Sequence, residues 1–384
     1  MLQGWITAVF IFSLSPGALA APKTGDRQKN DELIRVRLGE FEKFRLMGYD
    51  LTLNGRARLS DHRRIEVTCS ENVNREEISL GELGSFPGPV RLEASGGFIF
   101  VNDIPYRSTI IIHNREGKCL VVNQLGMEKY VAGVINNEMQ SNWPIEALKA
   151  QAVTARSYAI HAVEERPGAL YHVQNDTSDQ MYRGAANETA KSNLAASSTR
   201  GTVLYSPGGV LKAYYHANCG GRTDVPESVW GNKGNSVYRS VSCPYHRSTE
   251  SAKNWQMRIE KPQLEAALRK MDAAHPGGLA RIASLSMGAA TPGLRQKSVI
   301  LGDASGKSVE MDANSFRQLI GYGRLKSTKF EVRSEAGALE FRGVGFGHGV
   351  GMCQIGAREM ALRGKDHIAI LHHYYPLARL ANLY

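Results

Sequence analysis

Cysteine is scarce and unpatterned in this sequence. Its five residues, Cys69, Cys119, Cys219, Cys243 and Cys353, contain no C-x-x-C pair, which removes the usual zinc-ribbon and thioredoxin-type signatures. There is no H-E-x-x-H, so a zinc peptidase or amidase lacks its motif. Beyond residue 20 no apolar run is long enough to span a membrane. Acidic residues are the under-represented charge: 37 Asp and Glu stand against 47 Lys and Arg, a formal net charge of +10. No nucleic-acid-binding motif accompanies that excess. It suits an anionic surface such as wall polymer or lipid headgroups, and it equally suits plain solvated surface. The odd cysteine count leaves at least one thiol unpaired in a monomer. Cys219 and Cys243 lie near His216 and His246, a spacing open to a disulfide, a zinc site or free thiols.

What is present begins with residues 1–20, an apolar stretch, a Ser-Pro-Gly break and Ala-Leu-Ala. This reads as a secretory signal peptide cleaved after Ala20, with an uncleaved anchor as the alternative. Residues 21–32 are a polar lead-in. From Leu33 apolar and polar residues alternate, and several short runs of that kind follow. They predict a β-rich region over 33–124, closed by a hairpin through 114–117. A segment of different character, 251–338, reads as an inserted subdomain with two helices and two strands. The main domain would then comprise 125–250 and 339–384, and the fold class is α+β.

The stretch around which the chain is organised is 130–162. Tyr130, Val131, Val134 and Ile135 fall on one face of a helix. Asn136 and Asn137 break the pattern, and Pro144 suits the first turn of a second, alanine-rich helix. Glu138 is the one acid in the short segment between them, with Met139 and Trp143 close in sequence. Burial beside apolar groups raises a carboxyl pKa, which a general acid near neutral pH needs. The alternative is a helix cap, or an ion pair with Lys149 or Arg156.

The second informative stretch has glycine at 343, 345, 347, 349 and 351. In a strand these would share one face, free of side chains and open to a ligand or another backbone. His348 would then be the titratable side chain of the other face, unless it is a packed core histidine. Asp366 is placed to cap a last helix, 367–374.

Four blocks, IRVRLG (34–39), NEMQSNWPIEALKAQAVTARSYA (137–159), DQMYRG (179–184) and RLKSTKFEV with GVGFGHGVGMCQIGAREMALRG and ILHHYYP (324–376), resemble the SpoIID/LytB family, the stage II sporulation protein D and amidase-enhancer group. The resemblance implies a SpoIID-like catalytic domain in a secreted protein of the periplasm or cell wall that acts on peptidoglycan glycan strands. It implies a lytic transglycosylase that cuts the MurNAc–GlcNAc bond to leave 1,6-anhydro-MurNAc ends on denuded glycan, with Glu138 as its catalytic acid. Gln180, Tyr182, His348, Gln354 and Trp143 are expected to bind the sugar, since amides pair with hydroxyls and aromatic rings stack on pyranose faces. The other half of the family implies a non-catalytic wall-binding modifier whose partner is a cell-wall amidase. Some members bind zinc through a cysteine pair just before Q-x-Y-x-G; here that region is HVQNDTSDQ, without cysteine. That zinc is therefore not carried over, and the resemblance implies neither a metal ligand nor a cofactor. Cys353 replaces a common serine and would be tolerated if buried.

Overall fold

A computed structural model describes residues 32–59, 64–71, 76–94, 97–231, 237–245, 254–272, 279 and 281–384. Residues 1–20, read above as a signal peptide, nearly all of the lead-in, and His246 lie outside the described residues. Helices and strands are mixed in several separate sheets, an α+β fold.

The N-terminal region is built from two sheets. One runs in the order Val173–Gln174, Leu33–Phe41, Lys118–Gly126, Thr109–Arg115, Val90–Ala94, Leu51–Leu53, Ala57–Leu59. The other runs Ile104–Tyr106, Ile99–Val101, Lys43–Gly48, Ile65–Cys69, Glu77–Leu80, Ser85–Pro87. Alternation decides which side chains go inward: Ile34, Val36 and Leu38 meet Phe44, Leu46, Val67 and Ile78 in one core. Cys119 to Val122 break the alternation because both faces of that strand are covered. Leu120 and Val122 pack with Ile111 and Tyr171 on the outer side. A disulfide joins Cys69 of one sheet to Cys119 of the other.

Strand Lys118–Gly126 runs directly into helix α1 (Met127–Glu138). After a short loop comes α2 (Ile145–Glu165), with Pro144 as its N-cap. Its many alanines let neighbours approach from every side: α1, α3 (Ala190–Ser198) and strand Thr202–Ser206 all pack on it, as do the last two helices. Arg156, fully buried in α2, makes a two-pronged ion pair with Glu128 of α1 at 2.6 and 2.8 Å. Burial alone would raise Glu128, but the Arg156 guanidinium, Tyr384 and the Gly201 N–H outweigh it and hold the carboxyl below its usual range. A short helix, α4 (Pro226–Trp230), follows.

Residues 254–343 have a core of their own, around Trp255, Leu264, Val299, Phe316 and Phe341. It contains α5 (Lys261–Asp272), α6 (Ala313–Ile320) and two three-stranded antiparallel sheets. The returning strand Ala338–Gly343 pairs with Trp255–Glu260, so this unit closes at 343, not at 338. The chain then threads beside residues 214–224 and enters α7 (Gln354–Leu362) and α8 (His367–Tyr374). Asp366 caps α8, accepting from the Ala369 N–H at 2.7 Å. Strand Arg379–Asn382 closes on Thr202–Ser206.

Two expectations are corrected here. Helix α1 does not stop at Asn136: Asn137 donates to the Gly133 carbonyl, Asn136 to Asn187 and Thr189, and the helix continues to Glu138 as its last residue. The glycine-rich stretch is not a strand with a bare face. Gly345, Gly347, Gly349 and Gly351 all have positive φ, between 72 and 102°, so the alternation is one of backbone handedness. The close approach predicted for them is to protein. A Cβ at Gly351 would lie 1.9 Å from the Tyr214 carbonyl oxygen, and one at Gly345 2.9 Å from that of Asn218.

Candidate active site

Glu138 ends α1 where four parts of the chain meet. Its Oε1 accepts from the Met181 backbone N–H at 2.8 Å, its carboxylate accepts from the Tyr215 hydroxyl, and its Oε2 faces the Gln354 amide nitrogen at 3.5 Å. All three donors are neutral. Burial raises the carboxyl's pKa, and these three hydrogen bonds pull it back only in part. Among the described residues Glu138 forms no ion pair. The two basic residues that its sequence offers are committed elsewhere, Lys149 to Glu146 at 2.7 Å and Arg156 to Glu128. The group is therefore a half-buried acid that binds its proton more tightly than a free glutamate.

The donors are held in place by packing behind them. Residues 179–184 lie along α1, and the fit depends on glycine at two points. A Cβ on Gly133 would lie 2.7 Å from the Gly184 carbonyl oxygen, and one on Gly184, at φ 56°, would lie 2.1 Å from that of Pro105. Asp179 anchors the segment by accepting from the Tyr158 hydroxyl at 2.7 Å and the Gln174 N–H at 2.8 Å. Strand Tyr215–His216 pairs in parallel with Met352–Cys353. That pairing brings Tyr215 and Gln354 to the same carboxylate from positions 139 apart in sequence.

The sequence-predicted residues sort into two sets. Gln354, buried but for 5% of its surface, directs one amide nitrogen at both Glu138 Oε2 and the buried Gln151 Oε1, at 3.5 Å each. Gln180 and Tyr182 do not line a groove, because both are buried. Gln180 accepts from the Tyr130 hydroxyl at 3.0 Å and donates to the Tyr215 oxygen at 3.1 Å. It therefore sits behind Tyr215 as a positioning group. Tyr182 donates to Asn123 at 2.7 Å in the core. His348 packs against the rings of Tyr214, His216 and Trp230. Its Nδ1 accepts from the Val350 N–H at 3.0 Å and it bonds the Tyr215 backbone. Burial, with Arg295 and Arg317 nearby, lowers its pKa to about 3, so it stays neutral. No hydrogen bond joins it to Glu138 among the described residues. Trp143 is half-buried on the loop after Glu138, with the Arg358 guanidinium 5.9 Å from its ring centre.

Tyr215, Gln151 and the Met181 backbone were not singled out from sequence. Only the position of Met181 inside DQMYRG pointed to it, and a backbone N–H has no signature in a sequence.

A family profile described as Stage II sporulation protein, SpoIID, matches residues 115–205. Over that segment the chain is similar to the SpoIID family. The matched segment contains Glu138, Met181 and the packing behind them, while Tyr215 and Gln354 lie beyond it. An uncharacterized protein of Brachyspira hyodysenteriae is 29% identical over 90% of this chain and 92% of its own length. The amidase enhancer of Bacillus subtilis is 28% identical over 64% of this chain, which spans 39% of that protein. Stage II sporulation protein D of Bacillus amyloliquefaciens is 27% identical over 66% of this chain and 74% of its own length. No helix among the described residues is long and apolar enough to cross a membrane.

Proposed function

We propose that this chain acts on the bacterial cell wall as a peptidoglycan lytic transglycosylase, with Glu138 as general acid and then base. The observation that carries this reading is the environment of Glu138: burial and three neutral donors, with no cation among the described residues to hold it ionised. A protonated Glu138 would donate to the glycosidic oxygen as the bond breaks towards an oxocarbenium-like centre. The carboxylate left behind would take the proton from the sugar's C6 hydroxyl, whose oxygen closes on C1. No water is activated, so the second carboxylate of ordinary glycosidases is not required. Gln354 and Trp143, both beside Glu138 in space or in chain, are the proposed sugar contacts. Gln180 acts through Tyr215. Secretion through residues 1–20 belongs to the same reading.

A second reading, a non-catalytic modifier of a cell-wall amidase, is favoured by the relative named amidase enhancer. Digestion of peptidoglycan and of denuded glycan by wild type and Glu138→Gln, with products read by mass spectrometry, separates the two. Anhydro-MurNAc ends from wild type and none from the folded variant are expected. Reducing ends would mean attack by water. No cleavage of either substrate would favour the modifier.

A further inference from the structure

The three cysteines outside the disulfide come together in the core. Cys219, Cys243 and Cys353 are fully buried, and each thiol hydrogen-bonds the other two. A ring nitrogen of His216 and the sulfurs of Cys219 and Cys353 all lie within 4.8 Å of one another. His216 is 4% exposed; its Nδ1 bonds the Val350 carbonyl oxygen at 3.0 Å and must carry the proton. Its Nε2 then presents a lone pair, and that atom is buried with no hydrogen-bond partner among the described residues. An orphaned acceptor of this kind in a dry core is costly.

From this geometry we infer a structural metal site for a thiophilic divalent cation, zinc above all, held by His216 Nε2 and the sulfurs of Cys219 and Cys353, with the Cys243 sulfur, hydrogen-bonded to both of those thiols, as the fourth ligand. A Cys3His set is a closed tetrahedral zinc shell, with sulfurs about 3.8 Å apart when each bond is about 2.3 Å. The surroundings are those of ligand sulfur. Cys353 Sγ accepts from the Cys219 and Gly356 N–H groups at 3.3 and 3.4 Å, and Cys219 Sγ from the Gly221 N–H at 3.3 Å. Three thiolates and a neutral imidazole around a divalent ion leave one net negative charge. The fully buried Arg295, which donates to the Cys219 and Gly347 carbonyls, lies beside it. A disulfide would use two of the sulfurs and leave Nε2 without a partner; a metal uses all four donor atoms. The ligands come from three separate segments: the sequence offers His216, Cys219 and Cys243 as a zinc spacing, but nothing in it announces Cys353 as their partner.

The site would also brace Glu138. His216 is next to Tyr215 and Cys353 next to Gln354, and those neighbours are two of the three donors to the carboxylate. This consequence, though not the metal site itself, rests on the proposed role of Glu138.

The test is the metal content of the full chain, purified without chelator from zinc-supplemented medium, followed by cobalt(II) exchange. Stoichiometric zinc is expected, and a cobalt derivative showing thiolate-to-cobalt charge transfer with the visible bands of a tetrahedral ion. Cys353→Ser and His216→Ala should each weaken zinc binding by about tenfold or more. Glu138→Gln should bind zinc like wild type whether or not any glycan is cut. If the ligand variants fail to fold, the wild-type cobalt spectrum decides alone. A metal-free wild-type chain overturns the site, whether unreduced peptide mapping then finds a disulfide among the three cysteines or three free thiols.

Discussion

Replacing Tyr215 by phenylalanine removes one oxygen from a directed chain of hydrogen bonds. Tyr130 donates to Gln180, Gln180 donates to Tyr215, and Tyr215 donates to Glu138. The substitution leaves the Met181 N–H at 2.8 Å and the long contact to Gln354 at 3.5 Å as the remaining donors. A hydrogen bond to a charged group contributes about 1.5–3 kcal/mol, and one pKa unit corresponds to about 1.4 kcal/mol. Loss of the Tyr215 donor should therefore cost the ionised form about 1.5–3 kcal/mol and raise the Glu138 pKa further. Water entering the space would reduce the shift without reversing it. Gln180 keeps a second acceptor, the Ala155 carbonyl at 3.4 Å, so the fold should lose no more than about 1 kcal/mol.

The assay is a carboxyl 13C titration of glutamate-labelled protein, with the Glu138 resonance assigned by its absence in Glu138→Gln. Under the proposed mechanism the high-pH limb of glycan cleavage should move upward with the carboxyl. An unchanged or lowered Glu138 pKa in a folded Tyr215→Phe protein would refute the idea that neutral donors set this acid.

Glu138→Gln should stabilise the protein at neutral pH. The folded carboxyl titrates above its unfolded value, so ionisation costs stability as pH rises through the folded pKa, about 1.4 kcal/mol per unit of elevation. Urea unfolding should show the gain at pH 7 and its disappearance below about pH 4, where both states are protonated. Gly184→Ala should destabilise by about 2–5 kcal/mol in the same assay, from a left-handed residue with a Cβ and its overlap with Pro105.

Much of this architecture is legible in the sequence because local signals agree. The helix pair around Glu138, the alternating N-terminal strands and the Asp366 cap each follow from spacing and propensity. Two failures have definite physical sources. Asn136 and Asn137 interrupt an apolar pattern, yet their side chains bond back to the helix and to α3's leading turn, so α1 runs on. Alternating glycine fits two causes, a bare strand face or a repeated positive φ, and spacing alone does not distinguish them. Gln180 and Tyr182 sit in a motif that reads as functional, and polarity suggested sugar contact. Their hydrogen bonds are instead satisfied inside the protein, with Tyr130, Tyr215 and Asn123. The His216–Cys219–Cys353 grouping depends on a parallel strand contact across 134 residues.

The placement of charge around the site has a logic that single residues do not reveal. A carboxyl keeps a raised pKa only if burial is not cancelled by a neighbouring cation. The helix that follows Glu138 carries two cations, and each is neutralised by an acid other than Glu138. Arg156 is locked on Glu128, which Tyr384 and Gly201 also hold. Lys149 is tied to Glu146, whose second oxygen accepts from the His367 N–H at the start of α8. These pairs fasten α2 to α1 and to α8 while keeping positive charge off the site. The same residues that build the scaffold thus leave Glu138 with neutral donors alone, and a variant that directed Arg156 or Lys149 at it would hold it ionised and remove the acid.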